Sequence, residues 1–216
     1  MVSDRPESWP ITSHAVLASG VVSSFVEDRV RTPSGEVMTR QYIDHPGAVG
    51  IISLNEADEV AVVDQYRHPV AHRLIEPPAG LLDIDGEDHL AAAERELAEE
   101  AELAAGDWRV LVDAFTTPGA CQETLRIYLA RDLRPAPRPE GFVADGEEAH
   151  MNITWVKRSD LVDAIFAGRL QNPTMVMGVL ALQAALLGDG LNALRAPDAD
   201  WPARRVLAER TRSLGD

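Results

Sequence analysis

The chain has a single cysteine, Cys121, so no internal disulfide can form. Its first residues, "MVSDRPESWP", lack the basic and apolar parts of a secretory signal. No apolar run reaches the ~18 residues that a membrane span needs. These absences point to a cytoplasmic address and to no membrane partner. Positive charge is also scarce: 20 Lys and Arg stand against 35 Asp and Glu, for a net charge of −15. That field repels a nucleic-acid backbone and argues against DNA or RNA as a partner. A small anionic ligand remains compatible where local cations hold it. His68, His72, His89 and His150 lack metal-ligand spacing and read as surface or structural residues. Cys121 has no base beside it in sequence, which argues against a nucleophilic role. No internal repeat is visible.

What is there suits one good-sized α/β domain with a small extension. The 216 residues are 45% hydrophobic and 25% charged, enough for a substantial core. The first ~45 residues are β-rich: "SHAVLASGVVSSFVEDRVRT" is apolar and β-branched, "PSG" signals a turn, and "EVMTRQYI" alternates after it. "AVGIISL" (48–54), "EVAVVDQYR" (59–67), "WRVLVDAF" (108–115), "TLRIYLA" (124–130) and "MNITWV" (151–156) read as strands. Between them lie a short strand in "HRLIEPPAG", a helix over about 88–104 and a loop over 132–149. "SDLVDAIFAG" reads as a helix with Ser159 as N-cap and Gly168 as stop. "NPTMVMGVLALQAALLG" reads as a longer helix capped by Asn172 with Pro173 in its first turn. The tail is weakly patterned, with Trp201 as its candidate anchor. The expected organisation is a β extension over 1–45, a main domain over 46–188 and a tail over 189–216.

Acidic residues concentrate between Asp83 and Glu102, where nine carboxylates stand with one arginine. On a helical wheel Leu90, Ala93, Leu97, Ala101 and Ala104 form the buried stripe. Glu96, Glu99 and Glu100 share one face at i, i+3, i+4 spacing, whereas Glu94 and Glu102 point elsewhere. Like charges at that spacing destabilise a helix by a few tenths of a kcal/mol per pair. A solvated acidic face tolerates this; a hard divalent cation with oxygen-only ligands, Mg²⁺ above all, offsets it.

The flanking residues bear on the choice. Glu87, seven further residues, then Arg95, Glu96, Leu97, Glu99, Glu100 and Leu103 resemble the Nudix box, with Gly80 upstream. Two departures stand out. Gly80 lies seven rather than six residues before Glu87, and Glu102 occupies the second box glycine. The resemblance implies an α/β/α sandwich that hydrolyses a nucleoside diphosphate linked to another group. It implies metal binding by Glu96 and Glu100, with Glu99 as helper or further ligand and the Ala79 carbonyl beside them. Mg²⁺ is the expected ion, with Mn²⁺ as substitute. Glu87 and Arg95 would orient the carboxylates.

"DQYRHPV" (64–70), "IEPPAG" (75–80), Pro118 in "TTPG" and "RQYIDHPGAVGI" (40–51) resemble the ADP-ribose pyrophosphatase branch of that family. The implied reaction converts ADP-ribose and water to AMP and ribose 5-phosphate. Arg67, Tyr66, Glu76, Arg40, Pro118 and Gly119 become candidate substrate contacts. Tyr66 also suits a core position, and Pro118–Gly119 a plain turn. Glu147, with Glu148 as the alternative, is the candidate general base, on a loop that Gly141 and Gly146 make pliable. Other nucleoside diphosphate sugars, or a catalytically weak nucleotide-binding domain, remain open at this point. The branch also implies a homodimer that exchanges N-terminal sheets. Finally, Ala104 and Ala105 favour helix and Gly106 is a ready stop, so the acidic helix is expected to end at Gly106, past Glu102.

Overall fold

The computed structural model describes residues 2–139 and 152–215, with side chains through Arg210. The chain divides into two compact units. One gathers Met1–Gly47, Phe115–Thr124 and Asp200–Asp216; the other holds Ala48–Ala114 and Leu125–Ala199.

In the first unit, β1 (Ile11–Ser19), β2 (Ser24–Arg31) and β3 (Val37–Asp44) form an antiparallel sheet in the order β1-β2-β3. The "PSG" segment turns as expected, with Gly35 at φ 92°. Asp28 on β2 is fully buried. It accepts hydrogen bonds from His14 Nδ1 at 2.7 Å, Tyr42 Oη at 3.0 Å and Arg210 Nη2 at 2.6 Å. Arg210 belongs to a C-terminal helix, Pro202–Gly215, where the sequence pattern is weak. Trp201, just before it, is buried, and its carbonyl accepts the Arg205 N–H at 3.2 Å.

The second unit contains β4 (Ala48–Ser53), β5 (Glu59–Arg67), β6 (His72–Glu76), β7 (Ala79–Leu81) and α1 (His89–Ala101). Then come β8 (Leu103–Phe115), β9 (Thr124–Pro135), β10 (Asn152–Lys157), α2 (Arg158–Phe166) and α3 (Pro173–Leu187). Its sheets have the orders β7-β4-β9-β8 and β10-β5-β6, with β4 and β9 parallel. Side chains alternate across a strand, so β4 and β9 each feed two cores. Val49, Ile51, Tyr128 and Ala130 pack with Ala92, Ala93 and Leu97 of α1. Ile52, Ile127 and Leu129 pack with Leu161 of α2 and Met175, Val179 and Leu182 of α3. The result is the expected α/β/α sandwich, with a small antiparallel sheet at the N-terminus.

Local signals set several boundaries. The Asp88 carboxylate accepts the Leu90 N–H and caps α1, and Asn172 caps α3 by accepting the Met175 N–H at 2.8 Å. Ser159, the expected cap of α2, lies inside that helix instead. There a tertiary contact fixes the start: Arg158 donates its backbone N–H to the Asp58 carbonyl at 3.0 Å and grips the Asp58 carboxylate at 2.8 and 2.7 Å. β9 continues to Pro135, into the stretch read as loop.

The largest correction concerns the acidic helix. It ends at Ala101, and Glu102 adopts the left-handed conformation, φ 53° and ψ 38°, with its N–H on the Ala98 carbonyl at 3.2 Å. Ala104 and Gly106, expected in the helix and at its end, belong to β8. A non-glycine residue in that region costs about 1–2 kcal/mol. Strand pairing outweighs it: β8 joins β9 at once, and Leu103 and Ala105 pack on the α1 core. Gly106 is glycine for a different reason, because a Cβ there would overlap the Asp132 carboxylate.

Candidate active site

The carboxylate face forms as the helical spacing dictates. Glu94 is exposed, Glu96 and Glu99 are half-buried, and Glu100 is only 8% exposed. The short strand β7 lies against this face. The Ala79 N–H donates to Glu100 Oε2 at 3.0 Å. Gly80 follows, and a Cβ there would overlap the Glu96 carboxylate, so only glycine lets Glu96 reach the strand. β4 holds β7 in place through pairs such as Val49 with Gly80 and Gly50 with Ala79.

Arg95 organises the acids. Its Nε and Nη2 each lie 3.0 Å from a Glu87 carboxylate oxygen, a bidentate pair. Its Nη1 donates to Glu96 at 2.6 Å and to Glu99 at 3.1 Å. The hydrogen bonds to Glu87 raise the guanidinium pKa; burial works against them, and the charge of Glu96 adds to them. One cation thus ties together three of the crowded acids.

A second group lies in the same unit. Arg67 closes a bidentate pair on Glu76, Nε to Oε1 at 3.1 Å and Nη2 to Oε2 at 2.7 Å. Glu76 is buried, while the Arg67 side chain is 42% exposed. Glu76 lies three residues before Ala79, so the chain links both groups directly. Tyr66 is exposed rather than core, with its hydroxyl 3.2 Å from His68 Nδ1. Arg40, on β3, and the Pro118–Gly119 turn belong to the first unit. That turn is closed by the Ala120 and Cys121 N–H groups on the Thr117 carbonyl, both at 2.9 Å. Cys121 is partly buried, and burial pushes its thiol pKa up, which disfavours a thiolate. Glu147, Glu148, Gly141, Gly146 and His150 lie outside the described residues.

Sequence reasoning missed two arginines. Arg126, 2% exposed, pairs with Asp113 at 2.8 and 3.0 Å and donates to the Ala199 carbonyl at 2.8 Å. Arg138 donates from Nε to the Glu99 carbonyl at 2.9 Å. Both positions are far in sequence from their partners, so no local pattern announces them.

A divalent ion fits the chemistry of these donors. Glu96, Glu99, Glu100 and the Ala79 carbonyl supply oxygen alone, the preference of a hard cation. The missing Cβ of Gly80 leaves room for the Glu96 carboxylate beside the strand. Among the described residues no group of three His, Cys, Asp or Glu side chains is gathered closely enough to hold a metal ion by side chains alone. Arg95 holds Glu96 and Glu99, and the Ala79 N–H holds Glu100.

Comparison with known proteins shows the family to which the chain belongs. The Nudix domain matches residues 44–176. The ADP-ribose pyrophosphatase of Mycobacterium tuberculosis is 40% identical over 190 residues, covering 88% of this chain and 89% of that protein. The methanol dehydrogenase activator of Bacillus methanolicus is 30% identical over 182 residues, covering 83% of this chain and 96% of that protein. A crystal structure of an ADP compounds hydrolase superposes with a TM-score of 0.70 at 19% identity, over 87% of this chain and 99% of that one; this likeness is one of fold. From the box residues on α1 to the extent of these matches, the chain belongs to the Nudix family.

Proposed function

We propose that this protein is a divalent-metal-dependent pyrophosphatase that hydrolyses ADP-ribose to AMP and ribose 5-phosphate. The observation that carries the chemistry is the set of three carboxylates that Arg95 and the Ala79–Gly80 strand gather on α1. The substrate follows from the relative of 40% identity, which is named for that activity. Glu96 and Glu100, with Glu99 and the Ala79 carbonyl, would hold Mg²⁺, with Mn²⁺ as a substitute. When bound, such ions offset the charge of the diphosphate oxygens and lower the pKa of an attacking water.

The chain's own groups do the rest. Arg95 keeps Glu96 and Glu99 in fixed orientations against their mutual repulsion. Arg67, anchored by the buried Glu76, presents a half-exposed cation, which a diphosphate needs in a protein of charge −15. Tyr66, Arg40, Pro118 and Gly119 are the remaining proposed substrate contacts. Glu147 takes the proton from the attacking water. Replacing it by Gln is expected to lower kcat by ~10²–10⁴ with an unchanged melting curve; undiminished turnover would remove it from that role. A cytoplasmic homodimer completes the reading.

The decisive experiment is turnover of ADP-ribose with Mg²⁺, with products separated and a panel of nucleoside diphosphate sugars alongside. AMP and ribose 5-phosphate as the preferred products support the proposal. Preference for another sugar nucleotide would reassign the substrate, and binding without turnover would point to a nucleotide sensor.

A further inference from the structure

The C-terminal end of α1 faces an electrostatic difficulty. The last carbonyls of a helix lack intrahelical partners, and the helix dipole makes that end negative. Cations are favoured there, yet the last turn of α1 holds no basic residue. It holds Glu99 and Glu100 instead, and Glu102 follows at the cap. Where the Nudix box has glycine, this chain therefore adds a Cβ in a left-handed conformation and a further negative charge.

Arg138 answers the negative helix end and the added charge. It lies just past β9, and its Nε donates to the Glu99 carbonyl at 2.9 Å. Its Nη2 is 3.4 Å from Glu102 Oε1. Two residues earlier, the Ala136 N–H donates to the Glu102 carbonyl at 2.9 Å, so the segment carrying Arg138 is fastened to the same turn. The rigid guanidinium fork reaches a carbonyl and a carboxylate together, which a lysine ammonium does less well.

We propose that Arg138 is a positioning residue for the divalent-ion site, acting through the last turn of α1 with Glu102 as its partner. The inference rests on the reading of Glu96, Glu99 and Glu100 as that site. The peptide that Arg138 holds joins Glu99 to Glu100, so one hydrogen bond helps fix where both side chains leave the helix. Without the guanidinium, the Glu99 carbonyl loses this donor and the Glu102 carboxylate loses the cation beside it, while its repulsion from neighbouring acids stays.

The test is a Mn²⁺ titration of the intact protein without substrate, free Mn²⁺ being read by electron paramagnetic resonance. It compares the wild type with R138A, R138K, E102G, E100Q and the double variant R138A/E102G, each with a melting curve. R138A is expected to weaken Mn²⁺ binding by ~10-fold, the scale of losing a supporting contact at a metal site. R138K should recover part of the loss. E102G placed on R138A should recover most of it, because glycine accepts φ > 0 and removes the charge that Arg138 offset. The two changes are then non-additive. With saturating metal, R138A should leave the KM for ADP-ribose within about twofold of the wild type, a supporting residue acting on the ion alone. Unchanged Mn²⁺ affinity in R138A, with or without a lower melting temperature, overturns the inference and leaves the metal reading intact, as does strict additivity. A wild type that takes up no more Mn²⁺ than E100Q overturns the metal reading and the positioning role with it.

Discussion

Glu100 and Gly80 show how single atoms set this site. One oxygen of Glu100 accepts the Ala79 N–H at 3.0 Å in a nearly dry position. Replacement by Gln keeps an oxygen for that hydrogen bond and removes the charge. Metal-dependent turnover is expected to fall by more than the ~10–100-fold that a supporting residue costs, while melting changes little; full activity at ordinary Mg²⁺ would place the metal elsewhere. Gly80→Ala drives a methyl into the Glu96 carboxylate. It should destabilise by about 1–3 kcal/mol, as overpacking does, and raise the Mg²⁺ concentration needed for half-maximal activity. An alanine variant with unaltered metal dependence would mean that Glu96 has freedom the packing denies it. The helical wheel found the face containing Glu96, Glu99 and Glu100, because i, i+3, i+4 spacing is a local property. It did not find the partner strand's role, because Gly80 reaches Glu96 only after β7 pairs with β4.

At the scale of elements, boundaries followed local signals until a tertiary contact competed. Asn172 caps α3 as its side chain predicts, but α2 starts where Arg158 meets Asp58 rather than at Ser159. α1 stops at Glu102 because β8 must pair, although Ala104 and Ala105 are better helix formers. The N-terminal sheet and the C-terminal helix meet at Asp28. Burial pushes that carboxyl's pKa up, but hydrogen bonds from His14, Tyr42 and Arg210 outweigh it and hold the group below its ordinary value of 3.8. Burial, together with Asp28, pushes the Tyr42 phenol up to about 12. The sign follows from linkage: a depressed carboxyl stabilises the fold fully above 3.8, and that contribution is lost as pH falls through the lower folded value. Denaturation measured at pH 6 and again near pH 3 should show a larger loss in the wild type than in Asp28→Asn, which has no proton to gain; equal losses would remove Asp28 as the source.

For the whole molecule, strands interleaved with helices argued correctly for an α/β chain, and among the described residues no helix is long and apolar enough to cross a membrane. The N-terminal sheet leaves Val16, Leu17 and Val37 exposed at 57%, 46% and 42%. A homodimer of the proposed kind would cover part of this sheet. Light scattering at assay concentration should give twice the chain mass of 23.5 kDa; a monomer that is fully active would reject the dimer and the role of Arg40 across it.

By itself the sequence determined the class of fold, the strands and helices with strong periodicity, and the three-carboxylate face, since each depends on neighbours within a few residues. Only the tertiary structure decided where α1 ends, which arginine holds which acid, and why Gly80 and Gly106 carry no side chain. Those outcomes depend on strands that meet from distant parts of the chain. Glu102 marks the boundary: its residue type favours a continuing helix, and the pairing of β8 with β9 turns the backbone there instead.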